Sequence, residues 1–145
     1  MVIVHKNLYA SGFLYHQSSQ QILLQQNNSV PLTSSSWTLF GGNFLEKEDP
    51  TELFRNIIFE LLGVKIKIVH TIYSYLNEDT NQYLVYSHLN KYQDFPSKNG
   101  LTFEWFTFKD VLKMKITEQT KHDIVVGQRV IDAAKRKSRG EHTFQ

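Results

Sequence analysis

The chain has 145 residues and carries 16 lysines and arginines against 14 aspartates and glutamates, a formal net charge of +2. That length suits a single domain, residues 1–145, that buries its core without covalent help. The absence of cysteine excludes a disulfide framework, a thiol nucleophile and cysteine zinc sites. No apolar run approaches the ~18 residues that span a bilayer, and the N-terminus lacks the basic and apolar regions of a secretory leader. A cytoplasmic protein with no membrane partner is expected, and so small a charge calls for no nucleic-acid partner.

Two strand-like runs come first, "LYASGFLY" from Leu8 to Tyr15 and "QILLQQ" from Gln21 to Gln26, joined by the polar "HQSSQ". The Ser/Asn/Pro-rich "NNSVPLTSSS" follows, a long loop able to edge a binding cleft. It leads into "WTLF", Trp37 to Phe40, a short strand expected to end at Gly41-Gly42. A helix over residues 50–62 is bracketed at both ends. Asp49 is its N-cap, Pro50 its first residue, Glu52 the reciprocal member of a capping box, and Gly63 its left-handed stop.

Beyond the helix, "VKIKIVHTIYSYL" and "QYLVYSHL" are β-branched and aromatic and are divided by the turn composition "NEDTN". A further strand, "LTFEWFTF" from Leu101 to Phe108, precedes the short helical piece "KDVLKM". The last helix starts with Thr117 as N-cap, and Ile124, Gly127, Ile131 and Ala134 form the stripe that should meet a sheet. The order β-β-β-α-β-β-β-α predicts one α+β or α-β-α sandwich domain.

The stretch from Gly42 to Val64 resembles the Nudix box: Gly, five residues, Glu, seven residues, Arg-Glu, an aliphatic, any residue, Glu-Glu, any residue, Gly, an aliphatic. Counting from Gly42, Glu48 and Glu60 fall on glutamate positions and Gly63 on the closing glycine. The flanks "WTLFGG" and "EWFTFKDVLKMKIT" are also similar to Nudix domains, so the resemblance spans almost the whole chain. It implies a Nudix-type hydrolase of a nucleoside diphosphate linked to another moiety, and hence a nucleotide-like small molecule as partner. By the same resemblance Mg²⁺ or Mn²⁺ would be the cofactor, Glu60 and Glu48 the catalytic and metal-binding carboxylates, and Gly41, Gly42 and Gly63 the backbone frame of the phosphate site. Homodimers are common among similar proteins, so a homodimer is one state the resemblance allows.

Three box positions depart from the pattern. Asn56 stands for the arginine, Ile57 for the first helix glutamate and Leu61 for the last. At 100° per residue, positions 53, 56, 57, 60 and 61 share one side of the helix. That side, anionic in the family pattern, here reads Leu53, Asn56, Ile57, Glu60 and Leu61. Hydrolysis of a diphosphate needs its charge neutralised and a water made nucleophilic, and neither isoleucine nor leucine ligates the cation that does both. Enzymatic activity is therefore open. A catalytically inactive Nudix-fold module that binds a nucleotide or sugar nucleotide is the alternative, and a macromolecular interaction protein is a third reading.

Individual residues carry paired readings as well. Glu48 is either a second metal ligand or a loop contact, and Glu60 either a ligand or a solvated helix edge. Glu104, on the "FEWF" strand, is a candidate distal ligand or base, or a solvent-facing strand position. His88 and Tyr86 share one strand face and could line the cleft, or simply pack. The run Lys135, Arg136, Lys137, Arg139 is a solvated helix end that complements the dipole, or a patch for an acidic partner. The six histidines show no metal-ligand spacing, so no zinc site is assigned.

Overall fold

The computed structural model describes residues 7–28, 37–138 and 140. Most of the Ser/Asn/Pro-rich loop, residues 29–36, lies outside them, as do His5, Arg139 and His142. Ten elements follow in order: β1 (Asn7–His16), β2 (Gln21–Asn27), β3 (Trp37–Thr38), β4 (Phe40–Phe44), α1 (Pro50–Leu62), β5 (His70–Asn77), β6 (Thr80–His88), β7 (Leu101–Thr107), α2 (Phe108–Lys113) and α3 (Glu118–Ser138).

β1 is the axis of the sheet. One edge runs parallel to β6 from Asn7 opposite Thr80 to Tyr15 opposite His88. The other edge is divided between two antiparallel partners: Leu8 to Gly12 take β4, and Leu14 to His16 take β2. β2 in turn carries β7 on its outer edge, and the main path reads β3-β2-β1-β6-β5. A strand so placed is covered on both faces, which is why "LYASGFLY" reads as a nearly continuous buried run and not as an alternation.

Helices cover the two faces. On one side Phe54 and Ile58 of α1 pack with Leu14, Leu23, Val85, Phe103 and Trp105. On the other, Ile124 and Ile131 of α3 pack with Phe13, Tyr15, Ile22, Leu24, Leu84 and Tyr86. The result is the expected α-β-α sandwich around a mixed sheet. Close approach of the layers depends on missing side chains. A Cβ on Gly12 would lie 2.3 Å from the Val85 carbonyl oxygen and 2.9 Å from the Phe54 ring, and one on Gly127 would lie 2.8 Å from Phe13. Among the described residues, no helix is long and apolar enough to cross a membrane.

Local chemistry sets the element ends. Asp49 caps α1 by accepting from the Thr51 amide at 2.9 Å and the Thr51 hydroxyl at 2.8 Å, and these bonds hold its pKa below the usual carboxylate value. Gly63, at φ 72°, closes the helix with its amide on the Phe59 carbonyl. Thr117 accepts from the Thr120 amide at 3.2 Å at the start of α3.

Four expectations are corrected. Glu52 does not complete a capping box; it pairs with Arg55, one turn on. Gly41 and Gly42 lie inside β4 and do not end it, because they ladder with Ser11 and Ala10. Residues 64–69 are not strand, and two of their carbonyls are taken by side chains: Arg55 donates to Lys67 at 3.0 Å and Ser87 to Ile68 at 2.6 Å. The α3 stripe leaves Ala134 exposed and continues instead through half-buried Lys135.

Two substitutions measure this packing by urea unfolding. Ile58→Ala should cost about 2–5 kcal/mol. Gly12→Ala should cost about 1–3 kcal/mol, because its methyl meets strand backbone that cannot rotate aside.

Candidate functional site

The box is built from β4, the loop after it, and α1. Gly41 is required by geometry, as a Cβ there would stand 2.7 Å from the Ala10 carbonyl oxygen and 2.9 Å from the Tyr9 ring. Gly42 faces α1 directly. A Cβ on it would lie 3.5 Å from Ile57 Cδ1 and 3.9 Å from Leu53 Cδ2. Any side chain at position 42 would thus meet the side of the helix that carries charge in the box pattern.

Ile57 and Leu61 are half-buried and pack on the Phe54–Ile58 cluster, while Leu53 joins a smaller group with Leu8, Ala10 and Phe44. Asn56 and Glu60 remain exposed. Glu60 offers a carboxylate to which none of the described residues hydrogen-bonds; its backbone carbonyl accepts from the Lys98 ammonium. That cation lies at the C-terminal end of α1, where the helix dipole favours it.

Glu48 is occupied. Its Oε1 accepts from the Leu45 amide at 2.7 Å while its own amide donates to the Leu45 carbonyl at 2.8 Å, which closes the turn between β4 and α1. It precedes the helix, whereas Glu60 sits in the last turn, about 15 Å further along the axis at 1.5 Å per residue. The structure therefore does not bring the two sequence-predicted metal ligands together. Arg55 does not fill the vacant arginine position either, because Glu52 and the Lys67 carbonyl hold it.

Glu104 is exposed on β7 opposite Leu24. Leu24 belongs to the core under α3, and Phe103 and Trp105 to the core under α1. Strand alternation therefore directs Glu104 away from Ile57 and Glu60. Among the described residues, no group of three or more histidines, cysteines, aspartates or glutamates could hold a metal. The donor set at the box, one free carboxylate beside alkyl side chains, does not fit a resident divalent cation.

Tyr86 and His88 also lie on the α3 side. Tyr86 is buried, and His88 contacts Tyr15 and Tyr86 at centroid distances of 5.7 and 5.6 Å, with His70 at 5.7 Å. Loss of water around the ring, together with His70 and Lys135 nearby, lowers the His88 pKa from its ordinary 6.5.

Two polar features escaped the sequence reading. Lys135 is not part of a solvated helix end; its ammonium donates to the Tyr15 hydroxyl at 2.6 Å. The four-residue step from Ile131 could have placed it on the buried stripe. Asp123 is 4% exposed and accepts from Tyr73 at 2.8 Å, Tyr75 at 3.2 Å and Gln119 at 3.0 Å. Burial, followed by the Asp123 charge, pushes Tyr75 up to about 12, and Tyr73 is raised as well, first by burial. The Gln119–Asp123 spacing was the available signal there.

No family model and no curated protein matches the chain. Solved structures do. A MutT structure described for Aliivibrio salmonicida and Vibrio cholerae superposes with a TM-score of 0.69 at 13% identity, covering 87% of this chain and 98% of that one. The NUDIX domain of Shewanella oneidensis NrtR, in complex with ADP ribose, gives 0.65 at 17% identity over 90% of each chain. A NUDIX-family hydrolase from Clostridium perfringens gives 0.65 at 13% identity over 86% and 96%. The chain has the Nudix fold, and at these identities the likeness defines the fold alone.

The lowered His88 pKa fixes a sign for pH dependence. The unfolded chain binds the proton more readily, so the contribution of His88 to stability is present above about 6.5 and is lost as pH falls through its lower folded value. Urea unfolding of the wild type should weaken across that interval, and His88→Asn should flatten that part of the profile.

Proposed function

We propose that this chain is a Nudix-fold binding module for a nucleotide-like small molecule, retaining the glycine frame of a phosphate site without its metal chemistry. The observation that carries this reading is the packing of Ile57 and Leu61 on the core under α1, with Ile57 facing the Gly42 position. Carboxylates at those two positions would gather divalent cations; alkyl groups gather none and stabilise the helix on the sheet instead. With Glu48 turned into its own loop, Glu60 alone is left of the box carboxylates. Magnesium on that one exposed carboxylate would have to take the rest of its octahedral shell from waters and a ligand's phosphates, so the chain by itself holds no resident cation. The Shewanella domain described in complex with ADP ribose supports the ligand class, a nucleoside diphosphate derivative held by the same fold.

A second reading is favoured by one observation. The Glu60 carboxylate is exposed and free of hydrogen bonds to the described residues, so a ligand's own phosphates and waters could complete a coordination shell around a cation that Glu60 touches. The chain would then be a Nudix-type hydrolase working with a reduced ligand set.

Thermal melting with a panel of nucleoside diphosphate derivatives, in EDTA and in Mg²⁺ or Mn²⁺, separates the readings. A binding module is stabilised by ligand in EDTA, gains little from metal and releases no phosphate. Metal-dependent phosphate release abolished by Glu60→Gln would establish the hydrolase instead. A panel that shifts melting in neither condition removes the small-molecule reading altogether.

Restoring the family pattern gives a further expectation. The triple variant Asn56→Arg, Ile57→Glu, Leu61→Glu should bind Mn²⁺ at least tenfold more tightly than wild type by calorimetry. Without metal it should be less stable, by about 1–2 kcal/mol for each buried alkyl group removed.

A further inference from the structure

Where β1 and β6 end, on the α3 side of the sheet, Tyr15, His70, Tyr86, His88 and Lys135 form one contiguous group. Tyr15 is 1% exposed, and Lys135 Nζ both donates to its hydroxyl and stands 5.1 Å from its ring centroid. His70 stacks on Tyr86 at 4.9 Å. A cavity of about 430 Å³ opens over Lys135, with Gln17, Gln20 and Asn90 on its walls. A smaller one of about 200 Å³ shares Gln17 and Lys135 and adds Tyr86 and His88. Asn90 and His88 also line a third opening, of about 510 Å³, with Lys65, Lys67 and Lys91 around it.

The charge on these walls is of one sign. Four lysines and two histidines line the three cavities, and no aspartate or glutamate does. The ion pair formed by Arg55 with Glu52 lies on α1, beside the Lys67 backbone of the third cavity, and no salt bridge among the described residues neutralises Lys135. An ammonium half-withdrawn from water needs hydrogen-bond acceptors, and the Tyr15 oxygen satisfies one of its three hydrogens. The remaining hydrogens have the cavity to point into. No carboxylate competes there, so an anion entering it meets an unpaired charge at the edge of a low-dielectric core, where attraction is strongest.

We propose that this cavity binds the phosphate group of a small phosphorylated molecule, with Lys135 as the charged anchor and the Gln17 and Asn90 amides as neutral donors across from it. Phosphate fits better than a carboxylate because the donors surround a volume and include no arginine fork for a planar partner. The surrounding Lys65, Lys67 and Lys91 raise the local concentration of anions. This site is on the opposite face of the sheet from Gly42, Ile57 and Glu60, and it stands whether or not the box binds a ligand.

Calorimetry with inorganic phosphate and pyrophosphate tests it, alongside NMR of the histidine ring resonances. Wild type should bind saturably, with His88 signals shifting along the titration. Lys135→Met keeps the alkyl stem over Tyr15 and should weaken binding at least tenfold. Lys121→Met, about four turns upstream on α3, should leave it unchanged. Should Lys135→Met fail to melt cooperatively, the exposed substitutions Gln17→Leu and Asn90→Leu serve in its place and should each weaken binding severalfold. Absence of saturable binding, unchanged affinity in Lys135→Met or in both surface variants, or equal losses in Lys121→Met and Lys135→Met would overturn the proposal. So would an oligonucleotide that binds far more tightly than phosphate with a steep salt dependence, since the face would then be a nucleic-acid surface.

Discussion

The architecture depends on a close passage at Gly12. The residue sits where β1, β6 and α1 converge, and no side chain fits between the Val85 carbonyl and the Phe54 ring. With that space empty, β1 can be laddered on both edges while α1 lies flat on the strand. Leu14 and Val85 then meet Ile58 in one apolar layer. The loop closed by Glu48 and the glycines of β4 take their positions from that layer, so the frame of the box follows from how tightly the helix sits on β1.

The same packing explains what has become of the box. A helix lying this close to the sheet presents its 53–57–61 side to β4 and its 54–58 side to β1 and β6. Burying both gives more apolar contact than burying one, and an aliphatic at 57 or 61 extends the core continuously. Carboxylates on that side would instead need cations and ordered water to meet their charge. The chain has resolved the competition in favour of packing. The other face holds a separate polar group around Tyr15, Lys135 and His88, together with the buried Asp123.

Much of the fold was legible because several independent local signals agreed. Asp49, Pro50 and Gly63 set the helix limits correctly, and the aromatic and β-branched runs located the principal strands. Features that depend on tertiary approach were not legible. Residues 64–69 have every mark of a strand, yet Arg55 and Ser87, distant in sequence, take the Lys67 and Ile68 carbonyls. Lys135 sits in a basic run and reads as solvent-facing until the Tyr15 hydroxyl is placed beneath it. In the box, the substitutions at 56, 57 and 61 were plain from the sequence. The separation of Glu48 from Glu60 and the outward direction of Glu104 needed the loop bond and the register of β7.

The divided edge of β1 also orders events along the chain in time. Its pairing with β2 spans a tight turn, whereas its parallel partner β6 lies about seventy residues downstream, beyond four strands and a helix. β1 is made first and completed last. Until β6 arrives, a long apolar strand has an unpaired edge and an uncovered face, a state in which strands of separate chains can join. The feature that organises the finished sheet is thus also the one that most exposes the unfinished chain to association.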